Sequence, residues 1–189
     1  MGSSLKRLAV LGSTGSVGIQ TLDIVRAFPD RLKIVGLSAW RSLDTLVEQA
    51  KEFGPSLVSC GGVSGHKLGR FTIGSRECRI EDMVCDKEVD LVVAATTGDA
   101  GLMAIIEAIK AGKDVAIANK ETVVMAGKMV TELARTNDIN LLPLDSEPSA
   151  IWQCLQGESQ PIRRIILTAS GGPFYNMNPA KLGNVTPKQ

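Results

Sequence analysis

The chain has 189 residues, enough for one ordinary domain or for one domain and part of another. Hydrophobic residues make up 44% and charged residues 22%, the balance of a soluble globular chain, not a disordered one. A net charge of +1 without any basic block argues against nucleic acid or a membrane surface as the main partner.

Aromatics are only 4%, so the core must come from Val, Ile, Leu and Ala, as in buried parallel strands and the helices that cover them. Met1 to Ser4 runs straight into a strand pattern, which reads as no signal peptide, and no apolar run reaches the ~18–20 residues of a membrane span. Leu8 to Leu11 reads as a short buried strand closed by Gly12. Val17, Leu22, Ile24, Val25 and Phe28 then recur at helical spacing, and Pro29-Asp30 ends that helix before a second strand over Leu32 to Leu37. This is a βαβ unit of parallel-crossover size.

A helix over Leu43 to Phe53 and a strand over Ser56 to Ser59 follow. The glycine-rich stretch from Cys60 to Cys85 reads as loop with one strand around Arg70 to Ile73. Regularity returns with a strand over Asp90 to Ala95, a helix over Ala100 to Ala111, a strand over Asp114 to Ala118 and a helix over Thr122 to Thr136. Such alternation predicts an α/β fold, a Rossmann-like doubly wound sheet, mostly parallel.

Ile139 to Leu144 reads as a last strand leading out of this domain, followed by a helix over Ser149 to Leu155 and a strand over Arg164 to Thr168. Thr186 to Gln189 reads as a helix start. The expected division is a nucleotide-binding domain over 1–140 and the beginning of a second, α+β domain over 141–189. Apolar faces at Ile165 to Leu167 and at Trp152 should then lie uncovered.

Cys60, Cys78, Cys85 and Cys154 form no Cys-x-x-Cys pair, and His66 is the only histidine. Zinc, a disulfide scaffold and a Ser-His-Asp triad are therefore disfavoured, His66 reads as a surface residue, and a reducing cytoplasm fits. Gly12-Ser13-Thr14-Gly15-Ser16-Val17-Gly18 lies between strand and helix, where glycines admit a pyrophosphate and a helix N-terminus supplies free N–H donors. Thr96-Thr97-Gly98 and Asn119-Lys120-Glu121 also follow strands, so all three segments should line one crevice.

The end of the second strand, Ser38-Ala39-Trp40-Arg41-Ser42, holds no acid for a ribose diol. It offers Arg41 for a 2′-phosphate and Trp40 for adenine, so NADPH is preferred to NADH. Lys120 suits an anionic or polarised substrate oxygen and Asn119 the nicotinamide end, although an isolated Lys-Glu pair there is more often a helix-start salt bridge. Asp145-Ser146-Glu147, read as extended, places two carboxylates on one side as half of a divalent-cation site. Ser170-Gly171-Gly172-Pro173 is either a plain turn or a backbone nest for a phosphate.

These motifs in this order, with Ala118-Asn-Lys-Glu-Thr122, Leu142-Pro-Leu-Asp-Ser-Glu147, Ala150-Ile151 and Ser170 to Phe174, resemble the 1-deoxy-D-xylulose 5-phosphate reductoisomerase family over essentially the whole chain. The resemblance implies that NADPH is held by Thr14, Gly15, Ser16 and Val17, with Arg41 and Ser42 near its 2′-phosphate and Asn119 and Glu121 in contact with it. It implies a divalent metal (Mn, Mg or Co) on Asp145 and Glu147, and a sugar phosphate contacted by Lys120, Ser146, Glu147 and Ser170. Lys120 and Glu147 would be catalytic. The implied reaction isomerises and reduces 1-deoxy-D-xylulose 5-phosphate to 2-C-methyl-D-erythritol 4-phosphate in non-mevalonate isoprenoid synthesis.

Trp40 stands where that family usually has a small residue, and Pro148 where it usually has histidine. The family carries a third metal carboxylate and further substrate contacts beyond the point matched by Gln189, so these residues alone are expected to bind NADPH and turn over negligibly. Its members are typically homodimers through contacts largely outside the matched stretch, which leaves the oligomeric state open. Two other readings stay open: a non-catalytic nucleotide-binding module derived from such an enzyme, and a different NADP-dependent dehydrogenase.

Overall fold

The computed structural model describes residues 5–62, 74–166 and 172–189. They fall into two compact units, Met1–Gln153 and Cys154–Gln189. The first is built on seven strands: β1 Lys6–Leu11, β2 Leu32–Ala39, β3 Leu57–Cys60, β4 Arg76–Glu77, β5 Leu91–Ala94, β6 Asp114–Ile117 and β7 Leu141–Pro143. All neighbouring strands are parallel, in the order β4-β3-β2-β1-β5-β6-β7. The chain winds outward from β1 in one direction, then returns to β5 and winds outward in the other. The reversal between β1 and β5 is the switch point at which open α/β sheets bind ligands.

Six helices accompany the sheet: α1 Ser16–Ala27, α2 Leu43–Phe53, α3 Ile80–Val84, α4 Leu102–Lys110, α5 Lys120–Thr136 and α6 Ser146–Cys154. Alternation along β1 divides the core into two layers. Leu8 and Val10 pack with Leu22, Val25, Leu46 and Ala50 of α1 and α2. Ala9 and Leu11 pack with Met83, Ile105, Ile109 and Val130 of α3, α4 and α5. A period of two along a strand sends successive side chains to opposite faces, so each face acquires its own helices. Among the described residues the buried hydrophobics are aliphatic or sulfur-containing, with no Phe, Tyr or Trp.

Three expectations need correction. The stretch before Cys85 that reads as loop in sequence contains β4 and α3. Ile80, Met83 and Val84 follow helical spacing, but over a single turn and a half. The expected strand at Arg70 to Ile73, and His66, lie outside the described residues.

The strand at Leu141–Pro143 does not lead out of the first domain. It pairs with β6 as the sheet's edge, and the Leu144 N–H donates to the Ile117 carbonyl at 2.9 Å. Pro143 is tolerated there because an edge strand has one ladder side free. Residues 164–166 form no strand, and Ile165 and Ile166 are exposed. A strand needs a partner ladder, and none forms among the described residues of the second unit. Leu167 and Thr168 lie outside them.

In that second unit Pro179–Asn184 is a 3-10 helix, with the Asn178 side chain accepting from the Ala180 N–H at 3.0 Å. At the end, Gln189 Oε1 accepts from the Thr186 N–H at 3.0 Å, the reciprocal contact of a helix-start capping box. Trp152, on α6, is exposed, as expected.

The sheet's opposite, amino-terminal end is tied by Arg7 and Asp90. The Asp90 carboxylate accepts from the Arg7 guanidinium at 2.7 and 3.0 Å and from the Arg7 N–H at 2.8 Å. The Arg7 side-chain hydrogen bonds, against some desolvation, pull the Asp90 carboxyl from its usual 3.8 down to about 2. A depressed carboxylate contributes stability above its unfolded pKa and loses it as pH falls through the folded value. Asp90→Asn should therefore lower the denaturation midpoint above about pH 4, with the difference from the parent shrinking toward pH 2. Urea melts at stepped pH check this; both side chains are more than a quarter exposed, so the effect is small.

Candidate functional site

The carboxyl ends of β1, β2 and β5 enclose a groove of about 370 Å³, lined by Gly12, Thr14, Gly15, Trp40, Ile80 and Thr96 among others. A larger hollow of about 500 Å³ lies between the ends of β3 and β4, but it offers no helix N-terminus of useful length.

The loop from Gly12 to Gly18 is shaped by backbone contacts. Gly12 has φ of +78°, and a Cβ there would stand 2.6 Å from the Ala95 carbonyl oxygen. The Gly12 and Ser13 N–H groups both donate to the Ser38 carbonyl, at 3.0 and 2.8 Å. A tight turn follows, in which the Gly15 N–H donates to the Gly12 carbonyl at 3.1 Å. Gly18 packs α1 onto this turn so closely that a Cβ would lie 2.3 Å from the Gly12 oxygen.

Gly15 differs from both. Its φ is −81°, and among the described residues a Cβ would meet only the Gly12 oxygen, at 3.4 Å. No described residue demands glycine there, so the missing side chain leaves room for a ligand. Gly15 caps α1 without a side-chain hydrogen bond, so the first N–H groups of the helix, at Ser16 and Val17, remain available to an anion.

At the end of β2, Trp40 is 61% exposed and its ring lies against Gly61, where a Cβ would come within 2.2 Å of the indole. The Trp40 carbonyl accepts from the Gly62 N–H at 2.6 Å. The ring is thus seated as one wall of the groove. Arg41 and Ser42 follow, both exposed, and Ser42 caps α2 with its side chain uncommitted to the helix.

Asn119 is 2% exposed. Its side-chain amide donates to the Thr96 and Gly98 carbonyls, both at 2.9 Å, and its side-chain oxygen accepts from the Thr122 N–H at 2.9 Å. This side chain fastens the loop after β5 to the start of α5. Its amide hydrogens are occupied, so any contact with a ligand would fall to its backbone or its remaining lone pair. Glu121 is exposed in the first turn of α5.

Lys120 Nζ lies 3.8 Å from the Asp145 carboxylate, across the ends of β6 and β7. The Asp-x-Glu segment is not extended: α6 starts at Ser146, and the Asp145 carbonyl accepts from the Ser149 N–H at 2.9 Å. Pro148 falls in the first helical turn, where a missing N–H costs nothing. Strand alternation therefore does not align the two carboxylates; a helix entry presents them instead. The Ser146 hydroxyl donates to the Glu147 carboxylate at 2.8 Å. That bond, with backbone and Lys120 contributions, holds the exposed Glu147 carboxyl below its usual range.

Among the described residues no three His, Cys, Asp or Glu side chains group as a metal cage. The hard oxygens of Asp145 and Glu147 suit a divalent cation, as a pair and not as a complete set. Ser170 and Gly171 lie outside the described residues.

The sequence model of 1-deoxy-D-xylulose 5-phosphate reductoisomerase matches residues 8–127, and that of its C-terminal domain matches residues 141–189. The chain belongs to the 1-deoxy-D-xylulose 5-phosphate reductoisomerase family. It is 46% identical to the reductoisomerase of Pelodictyon phaeoclathratiforme and 48% to that of Prosthecochloris aestuarii, each across 98% of this chain and 50% of the relative. A crystal structure of a reductoisomerase in complex with NADPH, fosmidomycin and magnesium superposes with a TM-score of 0.84, at 34% identity over 97% of this chain and 50% of that one. The chain spans about half the length of the curated relatives it matches.

The reductoisomerase-family loop makes a sharp prediction. Gly18→Ala forces backbone atoms apart and should cost about 1–3 kcal/mol, whereas Gly15→Ala should stay within about 0.5 kcal/mol of the parent. Denaturant midpoints of the two variants check the contrast.

Proposed function

We propose that this chain forms the NADPH-binding part, with the opening of the metal and substrate site, of an enzyme converting 1-deoxy-D-xylulose 5-phosphate to 2-C-methyl-D-erythritol 4-phosphate. The division over 1–140 and 141–189 goes with this reading as a division of roles, β7 itself lying in the sheet and carrying the chain to Asp145. The observation that carries the proposal is the juxtaposition, at the carboxyl end of a single sheet, of a glycine-lined groove and the Lys120–Asp145 pair. Similarity to an enzyme crystallised with NADPH and magnesium supports it.

When bound, NADPH supplies the reducing hydride and the divalent cation supplies Lewis acidity for the rearrangement. The chain does the holding. Thr14, Gly15, Ser16 and Val17 offer backbone donors and space to the pyrophosphate, and Trp40 covers the adenine. Arg41 and Ser42 meet the 2′-phosphate. Asn119 fixes the floor of the nicotinamide end, with Glu121 beside it. Lys120 meets a substrate oxygen, Asp145 and Glu147 hold the cation, and Ser146 and Ser170 contact the sugar phosphate. Lys120 balances the carboxylates before the cation arrives.

Two outcomes test the reading. Tryptophan quenching of the 189-residue chain should show NADPH bound in preference to NADH. Arg41→Ala should erase about tenfold of that preference, and Gly15→Ala should weaken both dinucleotides. Equal affinity of the parent chain for NADPH and NADH would overturn the assignment of Arg41. In a turnover assay with 1-deoxy-D-xylulose 5-phosphate, NADPH and Mn²⁺ against a chelator control, two carboxylates should hold the ion too loosely for appreciable rate. Turnover near ~10 s⁻¹ would show that the pair suffices.

A further inference from the structure

Gln49 lies on the inward face of α2, 6% exposed, between Leu46 and Ala50 of the aliphatic core. A buried amide is costly unless its hydrogen bonds are made, and an aliphatic side chain would fill the place more cheaply. Its partners explain it. Gln49 Nε2 donates to the Ser13 carbonyl at 3.0 Å, and the buried Ser13 hydroxyl donates to Gln49 Oε1 at 2.7 Å. Because the Ser13 N–H donates to Ser38, its backbone N–H, carbonyl and hydroxyl are all engaged.

The Ser13 carbonyl shares a peptide plane with the Thr14 N–H. In a trans peptide these two groups point in opposite directions, and the structure has no cis bonds among its described residues. Drawing the carbonyl toward α2 therefore turns the Thr14 N–H away from α2, and Thr14 itself lines the groove.

We propose that Gln49 is a positioning residue for dinucleotide binding, aiming the Thr14 amide donor at the pyrophosphate through the Ser13 carbonyl. The proposal rests on the dinucleotide reading of the groove. It implies a signature separate from that of Arg41: Gln49 acts on the phosphates shared by all dinucleotides and is blind to the 2′-phosphate.

The test titrates the 189-residue chain with NADP⁺, NAD⁺ and adenosine 2′-monophosphate, alongside thermal melts. Gln49→Leu should weaken NADP⁺ and NAD⁺ by the same factor, about tenfold, and leave adenosine 2′-monophosphate, which lacks the pyrophosphate, unchanged. Gln49→Glu adds a readout that plain packing would not move. A protonated carboxyl reproduces the amide, donating to Ser13 and accepting from its hydroxyl, whereas a carboxylate faces the Ser13 carbonyl with no proton. Its NADP⁺ affinity relative to the parent at the same pH should thus climb toward unity from about pH 8 to about pH 5.

Full NADP⁺ affinity in a cooperatively melting Gln49→Leu chain would overturn the proposal, as would an equal loss for adenosine 2′-monophosphate. If Gln49→Leu does not fold, the Gln49→Glu ratio decides, and a ratio independent of pH overturns it. A parent chain that binds neither dinucleotide overturns the dinucleotide reading and this proposal with it. A parent that binds, beside an unaffected variant, overturns this proposal alone.

Discussion

At the carboxyl end of β1, three strands meet in close backbone contact. Gly12 is wedged against the Ala95 carbonyl at the end of β5, and it shares the Ser38 carbonyl of β2 with its neighbour Ser13. Because no side chain fits in this wedge, the chain must turn sharply, and the turn delivers α1 with its amino terminus toward the groove. That close approach places the free N–H groups of α1 at the switch point set by the strand order.

The carboxyl end of the sheet holds two chemistries side by side. Toward β2 the groove offers backbone donors and one indole face, with the exposed Arg41 next in the chain after Trp40, residue types that suit phosphates and a base. Toward β7 the ends of β6 and α6 present Lys120, Asp145 and Glu147, a setting for a cation and a polarised oxygen. Asn119 stands between them, bonded to the loop after β5 and to α5. Its buried amide ties the loop after β5 to α5, whereas Arg41, Lys120 and Glu147 stay exposed. Rigid backbone with exposed reactive groups is the arrangement expected where ligands must enter and leave.

Most of the sheet was legible because buried parallel strands and their helices carry strong local patterns, as in Leu8 to Leu11 and in Leu43 to Phe53. The glycine loop was legible for the same reason, since strand, glycines and helix are contiguous. Ile80, which lines the groove from α3, was missed: five residues are too few for helical spacing to stand out in a glycine-rich stretch. The clasp between Ser13 and Gln49 was missed because its halves are 36 residues apart and neither breaks a pattern. The extended reading of Asp145 to Glu147 failed because an apolar run before it suggested strand, while Asp145 at a helix entry and Pro148 in the first turn suit α6 better.

The sequence by itself determined the alternation of strands and helices, the family, and the residue types available for phosphate, cation and cofactor. These depend on periodicity, backbone freedom and order along the chain, all of which are local. Only the tertiary structure decided that β7 joins the sheet and so carries Asp145 to Lys120. It alone showed that the Asn119 amide is consumed in fastening two loops, and that Gly15, unlike Gly12 and Gly18, owes nothing to internal packing. Those outcomes turn on distances between backbone atoms from remote parts of the chain, and no spacing along the sequence encodes a distance through space.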